Sequence, residues 1–171
     1  TAKEYLAKNS TDTGFAGYQR ESPAYVRSRL DAIHNALAIN YGFNYCNPPP
    51  SFERYGQKIR SVATQLQNRT GTCLDLAVLQ AAIWEHAGLH PGIILIPGHA
   101  MLFCWLVENS LAEPVIEIKT PKHYQALIDL CEQNRLLICN SVEIANQSTF
   151  NTAEANGKNE LLKCAQNNAS T

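Results

Sequence analysis

Among the residue types in this chain able to do covalent chemistry, one cysteine of the six stands apart by its surroundings. Thr70-Gly71-Thr72 leads directly into Cys73, and an apolar run able to form a helix follows it. A thiol is a nucleophile only as a thiolate, and the unpaired N–H groups and partial positive charge of a helix N-terminus favour that form. Gly71 permits a tight loop, and its missing side chain leaves room for a substrate carbonyl to approach. The backbone N–H of Cys73 is then placed to donate to a developing oxyanion. Cys104, Cys131 and Cys139 sit inside apolar stretches and read as small buried hydrophobes. The six show neither CxxC pairs nor the density of a disulfide scaffold, so most read as reduced thiols.

A cysteine nucleophile needs a histidine within hydrogen-bond reach, and there are five: His34, His86, His90, His99 and His123. His34 falls on an ordinary amphipathic helix. His86 and His90 ride at or beyond the far end of the helix that Cys73 begins, about 20 Å from the sulfur. His99 follows the Pro97-Gly98 turn and opens a strand, and a strand returning beside that helix brings its first residue back to the helix start. Taken singly, His99 reads equally well as a turn residue and Cys73 as a buried helix cysteine. Together they have the arrangement a Cys-His pair requires. Structural zinc needs four ligands in closely spaced pairs, and no such pairs occur. No Gly-x-Ser-x-Gly elbow and no paired carboxylates on a common face are present, so no metal and no cofactor is expected.

The elements that must position this pair follow from periodicity. Ser22-Pro23 is a helix start, and Val26, Leu30, Ile33 and Leu37 recur at helical spacing through about residue 40, with Arg27, Arg29 and Asp31 on the wet side. Tyr41 to Tyr45 and Pro48-Pro49-Pro50 form a stiff connector with aromatic anchors, followed by a helix over about 58–68. From Cys73 to about Ala87 the residues are apolar nearly all round, the pattern of a helix buried in the domain centre, stopped by Gly88 and Pro91. A hairpin follows over 93–96 and 100–107, then a short strand at 115–118, a helix over 121–133, a strand at 136–138 and a helix over 148–164. This order predicts an α+β domain over residues 23–165, a core helix packed on an antiparallel sheet, with a polar segment before it at 1–22 and a tail at 166–171.

Composition narrows the partners. Of the 171 residues, 14 are basic and 15 acidic with no block of one sign, so no electrostatic footprint for nucleic acid is present. No apolar run approaches the roughly 20 residues needed to cross a bilayer. Cysteine usage points to a cytoplasmic location, and the start at Thr1 rather than Met suggests a part of a larger protein.

The residues Gly71-Thr72-Cys73-Leu74-Asp75-Leu76-Ala77, continuing through Ala81-Ala82 to Gly88-Leu89 and then Pro97-Gly98-His99-Ala100, resemble the core of transglutaminase-like domains. A bacterial subgroup of that superfamily, often embedded in large proteins with helicase-like modules, is similar also at Pro49 to Glu53, at Gly56 to Arg60 and through Trp105-Leu106. The resemblance covers about residues 40–107 well and the rest weakly. It implies a papain-like fold and a triad in which an acid or amide on a later strand orients the imidazole. Where relatives usually carry an acid, this chain has Asn140, and Glu117 is the rival orienter. An amide oxygen can accept the imidazole N–H, though it stabilises imidazolium less than a carboxylate. The motif also suggests Gln57 as a second oxyanion donor, or else a helix-start side chain satisfying backbone groups. Asp75, in the first turn of the core helix, reads as structural.

The function these readings predict is acyl transfer or amide hydrolysis (protease, deamidase or transglutaminase-like) on a protein or peptide substrate, through a Cys73 thiolate and a His99 base. The alternative is a catalytically inactive binding module of the same fold, with Tyr45 and Pro48 to Pro50 as part of its recognition surface.

Overall fold

The computed structural model describes residues 1–47, 58–108, 115–117 and 120–168. It is a mixed α and β structure. Helix α1 (Ala2–Asn9) is followed by α2 (Pro23–Asn40), β1 (Asn44–Tyr45), α3 (Val62–Asn68), β2 (Thr70–Gly71) and α4 (Cys73–His86). Then come β3 (Pro91–Ile96), β4 (His99–Trp105), β5 (Val115–Glu117), α5 (Pro121–Glu132), β6 (Leu136–Cys139), a 3-10 turn (Ser141–Ile144) and α6 (Phe150–Asn168).

Helix α2 starts where its sequence says, with the Ser22 hydroxyl accepting from Tyr25 N–H and Pro23 in the first turn. Val26, Leu30, Ile33 and Leu37 are all buried on its inner face. Arg29, expected on the wet side, is buried instead, because its guanidinium donates to the carbonyls of Gly14 (2.8 Å) and Asp12 (2.9 Å). Residues 1–22, expected to precede the domain, belong to it. Leu6 of α1 and Tyr18 are buried, and the Tyr18 hydroxyl donates to Trp105 O at 2.8 Å and accepts from His90 N–H at 2.9 Å.

Helix α4 packs against β3 and β4 and also contacts α2 and the 3-10 turn, burying Leu76, Ala77, Leu79 and Trp84. The main sheet has the order β5-β3-β4-β6. Strands β3 and β4 form the expected antiparallel hairpin, in register from Pro91↔Cys104 to Ile96↔His99 across the Pro97-Gly98 turn, where Gly98 has φ of 74°. Strand β6 is antiparallel to β4, from Leu102↔Cys139 to Trp105↔Leu136. The edge departs from the antiparallel expectation, since β5 runs parallel to β3. A separate two-stranded parallel sheet joins β1 to β2. No disulfide joins any of the six cysteines. Among the described residues no helix is long and apolar enough to cross a membrane.

Candidate active site

Cys73 is the first residue of α4, whose N-cap, Thr72, forms a capping box with Asp75. The Thr72 hydroxyl accepts from Asp75 N–H at 3.2 Å and the Asp75 carboxylate accepts from Thr72 N–H at 3.0 Å. The fully buried carboxylate also accepts from the backbone N–H of Arg60 at 2.7 Å and from its guanidinium at 2.5 Å. These bonds clamp the loop on which Cys73 sits to the chain entering α3. Burial opposes ionisation of Asp75, yet the bonds from Thr72 and Arg60 hold it below the ordinary 3.8. The structural reading of Asp75 therefore matches its contacts. The reading of Gly71 does not. A Cβ there would lie 2.9 Å from Leu76 Cδ2 and 3.2 Å from Asp75 Cβ. The space is taken by the core helix, and this glycine serves packing rather than substrate entry.

His99 opens β4, and its imidazole lies near enough to the Cys73 thiol for each group to shift the other's ionisation. Extending the β4–β6 register one step past Leu102↔Cys139 places Asn140 opposite Met101, which shares a face of β4 with His99. Asn140 Oδ1 thereby comes to 3.2 Å from His99 Nε2. The same oxygen accepts from Val142 N–H at 3.2 Å and so caps the 3-10 turn. A backbone N–H can only donate, so this contact fixes which end of the amide faces His99. Nε2 must carry a hydrogen to bond that oxygen, which leaves Nδ1 as the nitrogen free to accept the thiol proton.

The electrostatics separate Cys73 from Cys104, Cys131, Cys139 and Cys164. Burial, at 7% exposure, pushes its thiol up. The bond with His99, backbone N–H groups of Ala100 and Leu74, and the charge of His99 together outweigh burial and hold the thiol below its ordinary value. Burial drives Cys104 up to about 12 and Cys131 up to about 11, and also raises Cys139 and Cys164. His99 moves the opposite way from Cys73. Its bond to Cys73 raises it above an ordinary histidine against the effect of burial, with the thiolate charge, Asn140 and Glu160 assisting. The two shifts both favour a charged sulfur beside a protonated imidazole.

Of the other candidates, Gln57 and Pro48 to Pro50 lie outside the described residues. Glu117 is on edge strand β5, which β3 separates from β4, whereas Asn140 reaches the His99 ring. His86 ends α4, the whole length of the helix from Cys73. His34 is fully buried and Nε2–H donates to Ser148 O at 3.0 Å. Among the described residues no group of three or more His, Cys, Asp or Glu is arranged to hold a metal ion.

Two contributors were not foreseen. Arg60 completes the clamp on Asp75. Gly157 of α6 lets that helix lie on the strand end that delivers Asn140, for a Cβ there would sit 3.0 Å from Asn140 N and 3.1 Å from Cys139 N and C. An isolated glycine inside a helical pattern is a signal of such close approach. Comparison with protein-family models, with curated proteins and with solved structures finds no match to the chain.

Proposed function

We propose that this chain is a cysteine-dependent acyl-transfer or amide-hydrolysing enzyme, built on a transglutaminase-like, papain-like α+β domain and acting on a protein or peptide. The observation that carries the reading is His99, held through Nε2 to Asn140 Oδ1 at 3.2 Å and coupled electrostatically to the Cys73 thiol at the start of α4. In this reading Nδ1 takes the thiol proton and the thiolate attacks an amide carbonyl. The Cys73 N–H, which has no intrahelical acceptor at the first helical position, donates to the oxyanion. The imidazolium returns its proton to the departing amine, leaving a thioester. Water or a second amine then attacks the thioester, with His99 again moving the proton, to give acid or new amide and restore the thiol.

The test is the pH dependence of iodoacetamide labelling, resolved cysteine by cysteine by mass spectrometry, in wild type and His99→Ala. Selective reaction of Cys73 below the roughly 8.5 of a free thiol, abolished by the substitution, is the expected result. Reaction of Cys73 no faster than that of the other cysteines, or indifferent to His99, overturns the reading and leaves a binding module.

A further inference from the structure

Six large apolar side chains are exposed among the described residues: Ile39, Tyr41, Tyr45, Ile59, Leu66 and Leu162. Two of them, Tyr45 at 43% exposure and Ile59 at 48%, belong to segments tied to the nucleophile loop from opposite directions. Tyr45 pairs with Gly71 in the β1–β2 ladder, two residues before Cys73, and the next residue, Cys46, donates its N–H to Gly71 O at 3.0 Å. Its phenol also feels the charge of Cys73. Ile59 precedes Arg60, whose N–H is bonded to Asp75, two residues after Cys73. Each of the two segments tied to the Cys73 loop thus carries an exposed apolar side chain, one aromatic and one aliphatic. The Arg60 guanidinium that follows Ile59 is already engaged by the buried carboxylate of Asp75 and offers little to an acidic group. Exposed apolar groups gathered at a reactive centre mark a place where a ligand's apolar surface is removed from water.

Resting on the reading of Cys73 as nucleophile, we propose that Tyr45 and Ile59 form an apolar wall that selects amide substrates carrying an aromatic or aliphatic group beside the reacting carbonyl. The wall contributes contact area and no charge, so it discriminates against substrates with a charged group at that position, which would lose hydration with no partner in exchange.

The probe pair is iodoacetamide and N-(2-phenylethyl)iodoacetamide, which share one electrophile and differ by an apolar arm, with N-(2-aminoethyl)iodoacetamide as the charged counterpart. Second-order rate constants for Cys73 are read by mass spectrometry on the full chain. The expected preference for the phenylethyl reagent over iodoacetamide is roughly ten-fold, the worth of burying about half an aromatic ring, with none for the aminoethyl reagent. Tyr45→Ala and Ile59→Ala each reduce the preference at least three-fold, by the same area argument, whereas Tyr45→Phe retains it. Ile39→Ala, on α2 and outside the bracketing segments, also retains it. A wild-type preference near unity while the His99-dependent reaction with iodoacetamide persists overturns the wall and leaves the proposed enzyme standing. So does a preference indifferent to both alanine substitutions. Absence of the His99-dependent reaction itself overturns the nucleophile, and the wall with it.

Discussion

Replacing Asp75 by alanine tests whether the loop that carries Cys73 is held as described. The carboxylate is fully buried and accepts from Thr72 N–H, Arg60 N–H and the Arg60 guanidinium. Each backbone N–H left without an acceptor costs about 1–3 kcal/mol. The partly exposed guanidinium recovers water and adds about 1 kcal/mol at most. The sum, about 2–7 kcal/mol, spans the usual cost, about 3–5 kcal/mol, of breaking a buried charged contact. For a domain of this size a loss of about 3–5 kcal/mol is a fall in Tm of roughly 6–20 °C, measurable by calorimetry. The pH dependence supplies a second reading with a definite sign. The folded-state pKa of Asp75 lies below the ordinary 3.8, so its contribution is complete above that value and is lost as pH falls towards the folded one. The stability gap between wild type and Asp75→Ala, taken from urea unfolding, should therefore be constant from pH 5 to 7 and narrow below about pH 4. A loss under about 1 kcal/mol at pH 7, or a gap that does not narrow in acid, would refute the clamp.

The orienting bond and its support give two further predictions. Asn140→Asp keeps an acceptor for Val142 N–H and strengthens the bond to the imidazolium by roughly 1 kcal/mol, so the alkaline limb of Cys73 labelling, where His99 gives up its proton, moves to higher pH; a limb that stays put or moves down contradicts the assigned contact. Gly157→Ala gains about 1 kcal/mol of helix propensity but drives a methyl into backbone at 3.0 Å from Asn140 N, for a net loss of about 1–2 kcal/mol by urea unfolding together with slower Cys73 labelling; a stabilised variant with unchanged labelling would show that α6 does not set the position of Asn140.

What the sequence discloses depends on how local the physics is. Helix α4 is legible because it is apolar nearly all round, and the β3–β4 hairpin because Pro97-Gly98 supplies the turn its strands need. Cys73 and His99 follow from those two elements, since a helix start and a strand start are positions that patterning can place. Asn140 came from resemblance alone, and its contact depends on the pairing of β6 with β4, across which Asn140 and His99 are 41 residues apart. The parallel pairing of β5 with β3 was hidden for the same reason. Helix α1 escaped because Leu6 is its one buried residue, too little to make a period. Gly71 was misread because a small side chain announces close approach without saying what approaches, and here it is Leu76.

The Tyr18 hydroxyl sits where three parts of the chain meet. It accepts from the residue preceding β3 and donates to the last carbonyl of β4, while its ring lies 4.7 Å from that of His90. Both backbone groups belong to the sheet that carries His99, at the end away from it. A piece of the chain that begins downstream of Tyr18 therefore loses both bonds. A boundary drawn at Pro23, where the first strong periodicity begins, would leave a donor and an acceptor bare on the strand pair that delivers His99.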